Sequence, residues 1–323
     1  MKKLFIYFIL IICGLAMVIP FLWMLSTSLK SQLEVNKGSM GFLPIEHYTE
    51  CTIDNKKYRA KVIMAVNDSS YVNILDKKDH IVASYKKVPS SALKNKTKIV
   101  FHFDNYVTAF KKVPFARYFL NTIIVSLFVV FGVLVTGTLA AYAFARMRFK
   151  GRETIFMLFI SMMMVPQPVY LIPSYILLHH LGWLDTYQAL IIPWIANVFT
   201  IFLLRQQFKG IPQDLFDAAA IDGSSRFGML WRIALPLSKS IIATTAIFGF
   251  IGSWNSFMWP LVMTDSPNLR VLQVGLSYFS QEASAQTTLL MAASTFSILP
   301  LIILFVIAQK QIIASFASSG LKG

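Results

Sequence analysis

Three consecutive alanines stand among charged side chains in an otherwise apolar half of the chain. The stretch from Asp214 to Pro236 holds Ala218–Ala220, with Asp217, Arg226 and Arg232 close by in sequence. Small side chains let another protein approach the backbone closely, and charged side chains add directional contacts. These residue types indicate a surface that docks another protein.

The same stretch predicts two short helices joined by a tight turn. Pro212 suits the first turn of a helix, and Gln213 to Ile221 contains strong helix formers. Asp222-Gly223 then ends this helix, because glycine accepts the left-handed conformation found at helix C-termini. The first half of the stretch is therefore expected to be a helix with a glycine stop.

A second helix is expected after the turn, capped by the hydroxyl of Ser224 or Ser225. Its three- and four-residue spacing places four side chains on one side: Phe227, Leu230, Trp231 and Ala234. Pro236 then redirects the chain. Patterning alone also fits an amphipathic segment lying on lipid headgroups. A DNA-reading helix-turn-helix shares the outline, but adjacent membrane spans disfavour it.

Apolar composition identifies a membrane protein, since 56% of the residues are hydrophobic and the mean hydropathy is +0.60. Six runs can cross a hydrocarbon core of roughly 30 Å. They are Leu4–Leu25, Phe119–Ala145, Ile155–Leu181, Tyr187–Leu204, Ser240–Met263 and Thr288–Ala308. The first run is too long for a signal peptide and lacks a cleavage site after it. The predicted fold is an all-α integral membrane protein with six transmembrane helices.

Positive charge predicts the orientation of these spans. The turns after the second and fourth spans are rich in arginine and lysine, whereas the turn after the third carries Asp185 beside two histidines. Short loops rich in these cations stay in the cytoplasm, so both termini and the 209–238 loop are expected there. The basic loop 30–117 is expected outside, because loops longer than about sixty residues translocate largely regardless of charge.

The external loop is expected to contain a β-rich insert at about 45–98. Three β-branched and aromatic runs separated by turn residues predict a small antiparallel meander. They are Tyr58–Val66, Tyr71–Leu75 and His80–Val88. The other predicted regions are a first span (1–29), a five-span core (118–314) and a cytoplasmic tail (315–323). The net charge of +15 is divided between the loops and the insert, which favours anionic lipid or an envelope polymer over nucleic acid as the partner of the insert.

Polar or aromatic residues inside the spans are candidates for a substrate path. They are Gln167, Tyr170, Asn197, Trp254 and Asn255. The prolines at 166, 168 and 173 should kink the third span beside a cavity, because freed backbone groups need partners. Amides and aromatic rings suit a sugar, although packing between helices is the alternative. Gly132 and Gly137 are predicted to be close-packing points.

Motifs for bond-breaking chemistry are absent from the sequence. There is no G-x-x-x-x-G-K-[ST] phosphate loop, no H-E-x-x-H, no C-x-x-C and no G-x-S-x-G, and the five histidines are not spaced as metal ligands. The chain is therefore expected to be no enzyme and to bind no cofactor or metal. Any energy must come from a partner.

The order Asp217-Ala218-Ala219, Gly223, Ile233 and Leu235-Pro236 resembles the EAA loop of ABC-importer permeases. That loop reads Glu-Ala-Ala, three residues, Gly, nine residues, Ile, one residue, Leu-Pro, and every spacing fits. Asp217 replaces the glutamate, which keeps the charge and shortens its reach by one methylene.

Most of the chain outside Ile45–Lys98 is similar to the carbohydrate-uptake, maltose-type branch of these permeases. The similar runs are Phe115–Thr122, Pro166–Gly182, Trp254-Asn255, Trp259–Leu261 and Ser319–Gly323. The resemblance implies a multi-pass subunit of a bacterial cytoplasmic membrane that carries an oligosaccharide by alternating access. It also implies a second homologous permease, two ATPase subunits that bind ATP and Mg, and an external solute-binding protein.

The resemblance also implies residue roles. Asp217 would be the charged contact to the ATPase, Ala218 and Ala219 the surface for close approach, and Asp222-Gly223 the turn. The external loop from 264 to 287 would reach the binding protein, unless it is a simple connector. Its polar side chains are Asp265, Arg270, Gln273, Gln281 and Glu282.

Two other classes of function fit parts of the sequence. An ion-driven secondary transporter predicts inverted repeats and acidic residues inside the membrane, but none of the six predicted spans contains Asp or Glu. A membrane sensor would bind a ligand through the external insert, and no kinase-like or phosphate site supports that interpretation.

Overall fold

The computed structural model describes residues 2–38, 41–53, 56–66, 69–75, 81–281 and 286–320. The helices are α1 (Lys2–Ser28), α2 (Gln32–Asn36), α3 (Asp104–Lys112), α4 (Phe115–Arg146), α5 (Arg152–Met162), α6 (Gln167–His180), α7 (Tyr187–Ile191), α8 (Val198–Lys209), α9 (Gln213–Ile221), α10 (Arg226–Met229), α11 (Lys239–Trp254), α12 (Met258–Met263), α13 (Leu272–Gln281) and α14 (Thr287–Gly320). The strands are β1 (Ile45–Ile53), β2 (Lys56–Val66), β3 (Ser69–Leu75), β4 (Ile81–Pro89) and β5 (Leu93–Ile99).

The chain forms two compact units. One comprises residues 1–112 and 279–296, and the other comprises residues 113–278 and 297–323. In the first unit, α1 exposes its side chains on every side from Lys3 to Trp23. A helix that is apolar all round and covered by no other element is typical of a segment in contact with lipid.

The first unit contains a five-stranded antiparallel sheet in the order β4-β3-β2-β1-β5. The three runs predicted from sequence are confirmed as β2, β3 and β4. The sequence prediction missed β1 and β5. Strand β5 reads Leu-Lys-Asn-Lys-Thr-Lys-Ile and exposes every side chain after Leu93. Its backbone pairs with β1 from Ile45 opposite Ile99 to Cys51 opposite Leu93, so backbone hydrogen bonds hold a strand without an apolar face.

Helix α4 lies at the centre of the second unit and packs closely against α8 and α11. A Cβ added at Gly132 would overlap Cγ2 of Ile195, and one at Gly137 would lie 2.9 Å from Thr200 Cγ2. No side chain fits at these separations without displacing its neighbour. The predicted role of both glycines as close-packing points is confirmed.

Five helical segments among the described residues are long and apolar enough to cross a membrane. They are Lys3–Ser28, Phe115–Arg146, Tyr187–Lys209, Pro236–Trp254 and Thr287–Lys310. Helices α5 and α6 make a sixth candidate if this pair, bent by 99°, is counted as one span. The break falls at Pro166, where the sequence predicts a kink.

The predicted fourth and fifth spans each contain a break in the helix. The fourth is interrupted at residues 195–197, after a 3₁₀ turn that contains Pro193. The fifth is interrupted at residues 255–257, between α11 and α12. Asn197 and Asn255 lie in these breaks, and the sequence marks both as polar residues inside the spans without showing that the helices end there. The predicted loop 264–287 also contains a helix, α13, whose Leu272, Val274 and Phe279 are buried.

Candidate functional site: the EAA-like segment and a cavity

Helix α9 ends in a glycine turn, as the sequence predicts. Gly223 has a φ of +74°. Its N–H donates to Ala220 O at 3.0 Å, and the N–H of Ser224 donates to Ala219 O at 2.9 Å. These two bonds form a Schellman motif. No atom lies within 4 Å of a Cβ added at Gly223, so the requirement for glycine is conformational and not steric.

Ser225 caps the helix that follows. Its Oγ accepts a hydrogen bond from Gly228 N at 3.1 Å, which decides between the two predicted capping serines. Helix α10 then passes into a π-helical turn, Leu230–Ala234, in which Leu235 N donates to Leu230 O at 2.9 Å. A π turn is wider than an α turn and rotates less per residue.

The predicted single apolar side of this helix is not formed. Leu230 and Ala234 are buried, whereas Phe227 and Trp231 are 61% and 58% exposed. The two exposed rings meet edge to face with centroids 6.0 Å apart. The wider π turn changes the angle between successive side chains, so the four residues divide between the core and the surface.

The EAA-like segment, defined as residues 209–238, exposes most of the residues that resemble the motif. Ala219, Ile233 and Leu235 are partly buried. The exposed ones are Asp217, Ala218, Asp222, Gly223 and Pro236. Beside them, Ile221 is 86% exposed. Small, acidic and apolar groups thus share one accessible surface, which is the composition that a docking site requires.

Arg146, the last residue of α4, contacts the EAA-like segment at several points. Its Nη1 donates to Gln213 Oε1 at 2.8 Å, and its Nη2 donates to the carbonyl oxygens of Phe208 and Ile211. The guanidinium carbon lies 4.2 Å from the ring centroid of Phe216, which is buried. One side chain therefore binds both the backbone and the side chains at the start of α9.

Arg205 in α8 has a buried guanidinium with a different set of partners. Its Nη2 lies 2.7 and 2.6 Å from the two carboxylate oxygens of Glu153, and its Nε donates to Phe144 O at 3.2 Å. The guanidinium also lies 3.8 Å from the ring centroid of Phe156. Sequence reasoning used Arg146 and Arg205 only as loop charges. Their position at the ends of apolar runs was the available signal of a structural role.

A cavity of about 380 Å³ lies in the same unit, where three helices are interrupted. Its polar lining includes Gln167 at the start of α6, Asn197 at the start of α8 and Asn255 at the end of α11. Its aromatic lining is Trp194, Phe199, Phe248, Phe257 and Trp259. Interrupted helices at membrane depth are tolerated where the freed backbone is buried in protein or lines a cavity.

Three of the five predicted path residues line this cavity. Asn197 Oδ1 accepts from Thr200 N at 2.9 Å and caps α8, while Asn255 Nδ2 donates to Ile251 O at 3.0 Å. Gln167 is partly buried, and in the described part of the chain its amide has no hydrogen-bond partner.

The other two path residues do not line the cavity. Tyr170 packs against an apolar cluster. Trp254 is buried and donates through Nε1 to Ser297 O at 3.2 Å, which matches the helix-packing alternative.

The predicted binding-protein residues occupy different surroundings. Asp265 is exposed, and the Arg270 guanidinium lies 5.1 Å from the ring centroid of Tyr278. Gln273 donates through Nε2 to Asn255 Oδ1 at 3.3 Å, so it contacts a residue that lines the cavity. Gln281 ends α13, and Glu282 lies outside the described residues.

Asp185 connects the turn between the third and fourth spans to the 264–266 loop through hydrogen bonds. Its Oδ1 accepts hydrogen bonds from Asp265 N at 3.1 Å, Ser266 N at 3.0 Å and Ser266 Oγ at 3.1 Å. Burial raises the pKa of Asp185, but these hydrogen bonds and the charge of Arg270 outweigh burial and bring the pKa below its ordinary value. The carboxylate is thus held in its ionised form.

Known proteins share both the sequence and the fold. The arabinooligosaccharide permease AraQ of Bacillus subtilis is 35% identical over 69% of this chain and 80% of its own. The trehalose/maltose permease MalG of Thermococcus litoralis is 35% identical over 68% and 81%. A bacterial ABC transporter involved in import of the acidic polysaccharide alginate superposes with a TM-score of 0.68 at 22% identity, covering 96% of this chain and 95% of that chain.

The family match covers the EAA-like segment and most of the second unit. The description "Binding-protein-dependent transport system inner membrane component" matches residues 133–317. Together with the similarity to AraQ and MalG, this match confirms the resemblance to ABC-importer permeases, which are transport components and not enzymes. The chain belongs to the family of binding-protein-dependent transport system inner membrane components.

Proposed function

We propose that this chain is one permease subunit of a carbohydrate ABC importer and that its EAA-like segment receives the motion of a separate ATPase. The observation that carries the proposal is the exposed group of Asp217, Ala218 and Ile221 on a helix anchored by Arg146. ATP and Mg would bind only the two ATPase subunits, whose closure would move the segment and switch the bundle by alternating access. A second permease would complete the path, and a solute-binding protein would deliver the substrate.

The orientation follows from charge. Arg148, Lys150 and Arg152 lie between α4 and α5, and Lys209, Arg226 and Arg232 lie in the EAA-like segment. The positive-inside rule assigns both regions to the cytoplasm of a bacterial cell. The exposed tip of the segment would then face the compartment that holds ATP.

The substrate is an uncharged oligosaccharide. The cavity is lined by amides, hydroxyls and aromatic rings, and its lining in the described part of the chain contains no Asp, Glu, Lys, Arg or His. An ionised sugar would lose hydration there without meeting an opposite charge, which is costly. Names of the relatives support a carbohydrate, including arabinooligosaccharides and trehalose/maltose. The acidic substrate of the alginate importer fits this lining less well.

Charge reversal at the docking surface tests the proposal. Asp217→Lys should reduce recovery of the ATPase with the purified permease, because it places a cation where the partner is expected to receive an anion. The matched control is Asp265→Lys, an exposed aspartate in the loop after α12, which should leave ATPase recovery unchanged. Equal recovery of the ATPase with both variants and the unmodified chain would contradict a role for the segment in ATPase binding.

A further inference from the structure

Arg146 and Gln213 connect α4 to the exposed carboxylate of Asp217. Arg146 Nη1 donates to Gln213 Oε1 at 2.8 Å, and Gln213 Nε2 donates to Asp217 Oδ1 at 2.9 Å. The amide of Gln213 is thus oriented at one end by a cation and at the other by an anion. The chain of contacts runs from the end of α4 to the surface of the EAA-like segment.

The partners of Arg146 differ from those of its neighbour Arg205. Arg205 forms an ion pair with Glu153, in which its Nη2 donates to both carboxylate oxygens. Arg146 forms no ion pair within the described ranges, and its buried Nε has no hydrogen-bond partner there. Carbonyl oxygens, an amide and the ring of Phe216 hold it instead. The positive charge of Arg146 is therefore directed at the start of α9 and not neutralised within its own span.

Helix α4 is suited to carry a displacement to the cavity. It runs without a break from Phe115 to Arg146 and lines the cavity with Thr122, Val125, Val129 and Val133. The other long helices at this cavity begin or end beside it, since α6 and α8 begin there and α11 ends there. A displacement at the Arg146 end of an unbroken helix reaches the cavity wall without passing a hinge.

We infer that Arg146 and Gln213 are positioning residues that convert movement of the EAA-like segment into movement of α4 and that orient Asp217 for its partner. This inference rests on the proposed function. The guanidinium is suited to the role because it donates from two separate nitrogens held in one plane, so that Nη2 reaches two carbonyls while Nη1 reaches the amide, whereas an ammonium donates from a single nitrogen. Gln213 compensates for the short reach of Asp217 by fixing the direction of its carboxylate.

The test uses the assembled importer in proteoliposomes, with uptake and ATP hydrolysis measured in the same preparation. Arg146→Lys keeps the charge and removes the fork, and Gln213→Leu removes the link to Asp217. We expect ATP hydrolysis to stay within about twofold of the unmodified importer. Uptake per ATP should fall about tenfold for Arg146→Lys, which disrupts bonds to two carbonyls and to Gln213, and about threefold for Gln213→Leu, which removes two exposed hydrogen bonds to charged partners. Arg148→Gln removes an exposed charge two residues away and should leave the ratio unchanged.

An unchanged ratio of uptake to hydrolysis in both variants would overturn the inference. Should Arg146→Lys fail to assemble, Gln213→Leu decides alone, because Gln213 is exposed and contributes little to the core. The experiments distinguish failure of this inference from failure of the proposed function. If Asp217→Lys releases the ATPase while Gln213→Leu keeps the unmodified ratio, the docking role stands and only the positioning role fails. If Asp217→Lys retains the ATPase, the proposed function itself fails.

Discussion

The EAA-like segment and the cavity differ in the polar groups around them, which are charged at the segment and uncharged at the cavity. Around the segment, the guanidinium groups of Arg146 and Arg205 bind carbonyls, an amide, a carboxylate and two rings. Around the cavity, uncharged amides stand at helix ends, and Gln167 has no partner in the described part of the chain. The difference supports the proposal that the segment moves as a rigid piece while the cavity keeps polar groups available for a ligand.

The largest effect is expected where α4 packs closely against the turn before α8. Gly132→Leu would force a side chain into the space filled by Ile195, two residues before Asn197. Overpacking of this kind costs about 1–3 kcal/mol, so the melting temperature of the purified subunit should fall. Gly249→Ala is the control, because its Cβ would lie at an ordinary 3.6 Å from Val130 Cγ2. An equal melting temperature for the two variants would mean that the close approach of α4 is not rigid.

The next effect concerns the turn of the EAA-like segment. Gly223→Val should reduce uptake about tenfold, because a β-branched residue at a φ of +74° costs about 1–2 kcal/mol or more. Gly223→Asn is the matched variant, since asparagine tolerates the left-handed conformation. Uptake assays in proteoliposomes compare them. If the valine variant transports as well as the asparagine variant, the geometry of the turn does not matter for coupling.

A smaller effect is expected inside the cavity. Gln167→Leu removes an amide that is free to bind a hydroxyl, so the substrate concentration for half-maximal uptake should rise about five- to tenfold. Hydrolysis of ATP without substrate should not change. Tyr170→Phe, on the same helix but outside the cavity lining, serves as control. If the substrate concentration for half-maximal uptake were equal for both variants, Gln167 would have no role in substrate binding.

The smallest effect concerns pH. The pKa of Asp185 is lower in the folded protein than the value of about 3.9 expected for the unfolded chain. Its ionised form therefore stabilises the fold above that value, and the contribution disappears as the pH falls through the folded pKa. The melting temperature of Asp185→Asn should lie below that of the unmodified chain at pH 7, and the gap should narrow below about pH 4. If the difference in melting temperature did not change with pH, the ionised carboxylate of Asp185 would not be what stabilises the fold.

Local signals allowed the EAA-like segment to be predicted in detail. Pro212 and Gly223 act within one helical turn of their own position, so the helix start and stop follow from sequence, whereas the cap is narrowed only to Ser224 or Ser225. The division of Phe227 and Leu230 between surface and core did not follow, because it depends on a π turn. The sequence contains no strong local signal for that turn.

Longer-range features were predicted less well. The breaks at 195–197 and 255–257 contain Asn197 and Asn255, which the sequence predicts as path residues, but it does not predict that the helices end there beside a cavity. Arg146 could be recognised as a loop charge, but its acceptors, including Gln213, are sixty or more residues away in sequence. The sequence predicts which groups are charged, and only the tertiary structure shows what they hold.

The central claim is that the exposed tip of the EAA-like segment contacts the ATPase. Crosslinking from that tip tests it most directly. Ile221 and Met164 are equally accessible, at 86% and 85% exposure, but Ile221 lies on the EAA-like segment and Met164 at the break between α5 and α6. A photoreactive residue placed at each position in the assembled importer should crosslink to the ATPase from position 221 and not from position 164. Crosslinks to the ATPase from position 164 alone, or from neither position, would contradict the account.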